Sequence, residues 1–383
     1  MKKYLFLLIV ANQTTLVMSQ PITIEAKNPI AIQREQETIS IPLLSIQSFA
    51  QDMKGKNFVV FNGKKGMVSQ LVDENLDGTQ DVIVFQSSFA PLETKRFTIS
   101  ISETERTYTK IVDGRFIPPR EDFAWENDRV AFRMYGPALT AEVNNGIDVW
   151  TKRVRYPIVE KWYSGEQATP KINYHKDHGE GADFFTVGTS LGVGGSGLMV
   201  SGKLFQPGVF SYYKVITNGP IRVSFELYYP TWNILNKKIF QSKRITLDAG
   251  SQLNKIVDRF MTNVPFDSCS LAVGLVKRGN TTFQQGNQNR SMALWGLTNA
   301  DSINEYLGTA VLFSSAESST AGDDSLQYLT TFPLQWNSQF TYYSGFAWTR
   351  MGDITSEQQW KEYVNIFQQR TDNPLQLTIH RKK

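Results

Sequence analysis

The chain has 383 residues, a formal charge of +4, three histidines and one cysteine. A balance this close to neutral gives no support to nucleic-acid binding, which needs a strong basic stripe, and an acidic ligand would have to be drawn by a local cluster. Cys269 has no possible intrachain disulfide partner, and no later stretch is apolar for long enough to span a bilayer.

In chain order, MKKYLFLLIVANQTTLVMSQ has paired lysines, an apolar run and a polar end with small Ser19. It reads as a signal peptide over residues 1–19, cleaved before Gln20. Export without disulfides points to a bacterial periplasm or to secretion. Beyond it, 27 glycines, 15 prolines and 12% aromatics favour strands and turns. The segments TISIPLLSI, KNFVVFNG, DVIVFQSSF, KRFTISIS, RVAFRMYG, IRVSFELYYP and KRITLDAG alternate apolar with polar or are rich in β-branched and aromatic residues. The expected class is therefore all-β and antiparallel, with a smaller N-terminal β-domain over 20–105 and a larger two-sheet sandwich within 106–383. The proline-rich DGRFIPPREDF reads as a linker between them. Short helical turns are expected near 300–307. One helix is expected over 355–370, capped by Thr355 or Ser356 with Trp360, Val364 and Phe367 as its apolar stripe.

Three stretches carry candidate chemistry. DENLDGTQD places Asp73, Asn75, Asp77 and Asp81 around Gly78, which suits either a calcium loop or a polar hairpin turn. WENDRVAFRMYGPAL and GIDVWTKRVRYPIVEKWY combine Trp125, Trp150, Trp162 and Tyr163 with Arg129, Arg133, Lys152, Arg153 and Arg155. These are aromatic platforms and cations suited to acidic sugars, or else a solvated sheet face. In a strand, Arg153 and Arg155 would share one face and Lys152 the other. YHKDHGEGADFF holds His175 and His178 among Tyr174, Asp177, Glu180 and Asp183, followed by glycines from Gly188 to Gly197 that would let backbone approach a ligand. General acid/base work, a divalent metal on the two imidazoles and a carboxylate, and a structural turn all fit that stretch. No GxSxG elbow is present and Cys269 has no nearby histidine in sequence, which argues against nucleophilic acyl chemistry.

These stretches, with YYSGFAWTRMGD, resemble a bacterial family of unknown function whose members accompany enzymes that dismantle uronic-acid polysaccharides, and within that setting the ulvan oligosaccharide dehydratases. The resemblance implies a galactose-mutarotase-like super-sandwich and a lyase-type elimination of water from a terminal uronate, with an acidic oligosaccharide as partner. No cofactor is expected, with a divalent metal as the alternative. Such chemistry needs a cation on the carboxylate, a base for the adjacent carbon-bound proton, and an acid for the departing oxygen. From chemistry alone, His178 is assigned as base, with His175 as its partner or as acid. Tyr174 or Tyr212 would donate the proton, and Arg133, Arg153 or Arg155 would grip the carboxylate. Lys152, Trp125, Trp162 and Asp183 complete the expected binding set. A non-catalytic glycan-binding protein and a glycoside hydrolase are the rival readings.

Overall fold

The computed structural model describes residues 22–49, 57–102, 106–118, 120–139, 143–266, 269–298, 305–314 and 319–380. The expected signal peptide lies outside them. The molecule is built of antiparallel sheets, as the alternating segments require. A five-stranded sheet in the order Gln376–His380, Ile22–Lys27, Thr94–Ser102, Asn57–Asn62, Lys65–Gly66 faces a three-stranded sheet of Arg34–Pro42, Val82–Phe89 and Ser69–Val72. Ile24, Ile39, Phe85 and Phe97 fill the space between, with Phe85 and Phe97 edge to face at 5.0 Å. The strand at the chain's end pairs with the first, Ile24 opposite Ile379, so it joins the N-terminal sheet although it follows the larger sandwich in sequence.

The larger sandwich opposes an extended sheet running from Tyr212–Asn218 to Thr281–Gln285 against two five-stranded sheets. The first of these has the order Gly181–Ala182, Asp148–Lys152, Ala131–Met134, Asp122–Glu126, Asp113–Ile117. The second is centred on Val193–Val200 and Cys269–Val276. A parallel bridge from Ile147 to Gly192 joins the two. Alternation decides what enters the core: Phe123, Trp125, Phe132 and Val149 point inward against Phe225, Ile245 and Phe346, while Asp122, Ala124, Ala131 and Trp150 point outward.

Each outer face carries a helix. The first, α1 (Val159–Gln167), packs Val159, Trp162 and Tyr163 onto Trp150 and Ala131. The second, α2 (Glu357–Asp372), starts at Ser356, whose hydroxyl accepts the N–H of Gln359 at 3.3 Å, and buries Trp360 and Val364 against Ala310 and Leu312. Burying two such side chains contributes roughly 3–6 kcal/mol, more than the cap.

Two local expectations are corrected, and a third falls largely outside the described residues. DGRFIPPREDF is a β-hairpin, with Asp113 opposite Glu126 and Ile117 opposite Asp122. Pro118 lies at its turn, where no ladder N–H is needed. The strand read through Arg153 and Arg155 stops at Lys152 and gives way to α1. Of the turns expected near 300–307, residues 300–304 lie outside the described residues, and Tyr306–Phe313 is a strand.

Candidate functional site

The outer face of the sheet beneath α1 holds a buried polar network. Arg133 and Asp148 are direct cross-strand partners, and two-residue alternation aims both outward, beside Trp150. Asp148 Oδ2 accepts from Arg133 Nε at 2.9 Å and Nη2 at 2.5 Å, and from the Tyr135 hydroxyl at 3.1 Å. Arg133 Nη2 also donates to Asp183 Oδ2 at 2.9 Å and Nη1 to the Tyr174 hydroxyl at 3.2 Å. Asp183 is delivered by the short strand Gly181–Ala182, which pairs with Thr151 and Lys152. Gly181 has a φ of +108°, and a Cβ there would lie 1.9 Å from the Thr151 carbonyl oxygen, so only glycine lets the strands meet.

One guanidinium therefore serves two carboxylates away from water. Burial first, and the neighbouring Asp183 second, push Asp148 up to about 7, and burial also raises Asp183. Asp122 lies near, raised by burial, and accepts from the Tyr163 hydroxyl at 3.0 Å.

The network reaches solvent through His175. Its side chain is 55% exposed, while Nδ1 lies 3.2 Å from the Asp183 carbonyl oxygen and 3.5 Å from Asp183 Oδ2. The ring tilts against Tyr174, centroids 4.6 Å apart. With Nδ1 held by oxygen acceptors, Nε2 is the nitrogen left to face outward. His178 is exposed on the same turn, its Nε2 at 3.2 Å from the Asn173 carbonyl oxygen. Arg153 flanks it: Nε donates to the Gly179 carbonyl at 3.1 Å and lies 3.7 Å from Asp177 Oδ2. Arg350 Nη1 reaches the same Asp177 oxygen at 3.3 Å.

Four residues singled out in the sequence, Arg133, Tyr174, His175 and Asp183, thus meet in one constellation, with His178 and Arg153 on its exposed rim. The others stand elsewhere. Arg133 is taken up by its two carboxylates and cannot grip a substrate. Tyr174 is buried under Arg133, with Arg120 stacked 5.5 Å from its ring centroid, and cannot donate to a ligand. Lys152 is fully buried, its three donors spent on Glu126 Oε2 and the carbonyls of Asn127 and Tyr156. Glu126 Oε1 in turn accepts the N–H groups of Ile158 and Val159 that open α1, so this pair fixes the helix. Trp125 is core, its indole N–H donated to Asn254 Oδ1 at 2.8 Å. Trp150, Trp162 and Tyr163 are buried in the α1 contact and offer no open platform. Arg155 is tied to Asp353 on the surface, and Tyr212 is exposed at the edge of the extended sheet against Tyr213 and Tyr228.

The glycines of Val193–Val200 serve packing: a Cβ at Gly194 would meet Ser344 Cβ at 2.4 Å. Cys269 is buried in a strand and pushed up to about 12 by burial. In DENLDGTQD the carboxylates accept the loop's own N–H groups, Asp73 from Leu76 and Gly78, Asp77 from Thr79 and Asp81 from Glu74, as in a polar hairpin turn. Among the described residues no three His, Cys, Asp or Glu side chains are grouped to hold a metal ion, and no helix is long and apolar enough to cross a membrane. Asp148, Tyr135 and Asp122 were not singled out from the sequence. Asp148 and Tyr135 could have been found from the outward alternation they share with Arg133.

Fold and site together define an antiparallel β-super-sandwich with a buried arginine–carboxylate network opening to solvent at one imidazole. Over residues 26–377 the chain matches the family described as Domain of unknown function (DUF4861), and it belongs to that family. It is 34% identical over 380 positions to "Uncharacterized protein P7" of Formosa agariphila, covering 93% of each chain. Among solved structures it is similar to a protein in the glycosyl hydrolase family 38 from Enterococcus faecalis, with a TM-score of 0.53 and 10% identity, and to an alpha-mannosidase from the same organism, at 0.51 and 10%. The match covers 95% of this chain but only 48% and 46% of those two, so the chain spans about half of their length and the likeness is one of fold.

Proposed function

We propose that the protein is a carbohydrate-active enzyme that eliminates water from a terminal uronate of an acidic oligosaccharide, the chemistry that the ulvan dehydratase resemblance implies. The observation that carries this reading is the pairing of an exposed imidazole with a buried carboxylate, His175 on Asp183. A base of that form accepts a proton at Nε2 while the carboxylate steadies the imidazolium. His175 is thereby favoured over His178 as base. It takes the proton from the carbon beside the uronate carboxylate, and the electron pair forms the double bond to the neighbouring carbon. The hydroxyl on that carbon leaves with a proton from His178, whose Nδ1 faces away from Asn173. Arg153, anchored through Nε, keeps its terminal nitrogens for the carboxylate, on which charge builds in the transition state. The leader-like residues 1–19 fit an exported enzyme working where such oligosaccharides are met.

Hydrolysis by paired carboxylates is less well supported, because Asp148 and Asp183 are buried and committed to Arg133. The test is incubation of the purified protein with saturated, uronate-terminated oligosaccharides, followed by mass and ultraviolet absorbance. Loss of one water with a new unsaturated-uronate chromophore is expected. Gain of water would mean hydrolysis, chain scission with absorbance a lyase, and no change a binding protein.

A further inference from the structure

Arg278 follows the strand Cys269–Val276 and lines a cleft of about 500 Å³ formed with the Phe184–Ser190 loop, Leu297 and Leu326. Its Nη1 donates to the Leu297 carbonyl at 2.8 Å and Nη2 to the Leu307 carbonyl at 2.9 Å. Nε is buried without a partner, and no carboxylate pairs with Arg278 among the described residues. A guanidinium has five N–H donors, so two carbonyls leave most of them and the whole charge unanswered. Burial lowers this group to about 10, the effect expected of a cation without a counter-ion. Its neighbour Lys277, by contrast, is paired with Asp323.

The cleft adjoins the candidate site through shared segments of chain. Phe184 follows Asp183 in the chain, and its ring lies 6.1 Å from that of Trp348. On the other side, Arg350 bridges Asp177 of the histidine turn to Glu305 at 3.5 Å, and the Glu305 carbonyl accepts the N–H of Thr298, which lines the cleft.

We infer that the Arg278 cleft is an oxyanion subsite that receives a second acidic group of the saccharide, a carboxylate or a sulfate ester, beside the unit held at His175. This rests on the proposed function for its substrate class, but the binding it asserts is separately measurable. Guanidinium matches both oxyanions through two parallel N–H bonds, whereas neutral hydroxyls do not answer its charge.

The test is calorimetric titration of the purified protein with sodium glucuronate, glucose 6-sulfate and glucose. An acidic sugar should bind and glucose should not, and the tighter of the two acids identifies the group preferred. Arg278→Gln should weaken that binding about tenfold or more. Because Arg278 also ties two strand ends, Gly279→Glu is the second variant. Gly279 lines the cleft, has open space around it and no positive φ, so a carboxylate there should neutralise Arg278 with its carbonyl bonds intact and give a matching loss. A protein that binds acid at Arg278 yet dehydrates nothing would sink the proposed reaction and keep the subsite. Failure of both acids to bind, equal binding of glucose, or wild-type affinity in both variants overturns the subsite.

Discussion

Two clusters of buried charge lie in the same large sandwich. In the core between its sheets, Lys243 donates to Asp258 Oδ2 at 2.6 Å, to Ser196 Oγ at 2.9 Å and to the Tyr342 hydroxyl at 2.9 Å. One cation meets one anion, both side chains are fully buried, and the lysine's three donors are used. Under α1, one guanidinium meets two carboxylates, and burial first, with the second carboxylate after it, pushes Asp148 up to about 7. There the network ends at an exposed imidazole, whereas the partners of Lys243 among the described residues are themselves buried. The difference separates holding from acting. A balanced, sealed pair specifies how two sheets stack, and an unbalanced one that reaches solvent can hold or shift a proton near neutral pH.

The largest effect should come from breaking the unbalanced cluster. Arg133→Met leaves Asp148 and Asp183 buried with no cation, and should cost about 3–5 kcal/mol in urea unfolding and abolish turnover. Lys243→Met should cost a similar amount in stability alone, with turnover per folded molecule retained. Adding Asp258→Leu to it should recover most of that loss, because an apolar pair replaces an unanswered charge. If Lys243→Met instead removes turnover from folded protein, the contrast between the clusters is lost.

Asp148→Asn sharpens the contrast through pH. Asp148 has a folded-state pKa raised from 3.8 to about 7, so the folded state holds its proton more tightly than the unfolded chain. That contribution to stability is full below the unfolded value and is lost as pH rises through about 7. Unfolding free energy of the wild type, relative to Asp148→Asn, should therefore fall between about pH 4 and pH 7. The fall is at most about 4 kcal/mol. Parallel pH profiles would place the proton elsewhere. The smallest effect belongs to the 73–81 turn: Asp73→Ala removes an acceptor of several backbone N–H groups and should cost about 1–2 kcal/mol. Added calcium should leave the wild-type melting temperature unchanged, and a rise would restore the calcium-loop reading.

The strands were legible because two-residue alternation is a local signal, and α2 because its cap and stripe lie within one segment. The hairpin at Pro118 was misread because a proline's meaning depends on whether its position lies in the ladder or at the turn. The histidine turn stood out by rarity. What surrounds it did not: Asp148 and Arg133 lie fifteen residues apart and meet only through register. The tryptophans misled for the complementary reason, since an aromatic beside an arginine has the same sequence signature in a sugar platform and in a packed helix contact.

The most direct measurement is turnover of a uronate-terminated oligosaccharide by wild type, His175→Asn and His178→Asn, followed by loss of water and growth of the unsaturated chromophore. Substitution at His175 should lower kcat by about 10²- to 10⁴-fold with unfolding free energy changed by less than about 0.5 kcal/mol. A folded His175→Asn protein that turns over at the wild-type rate would contradict the account.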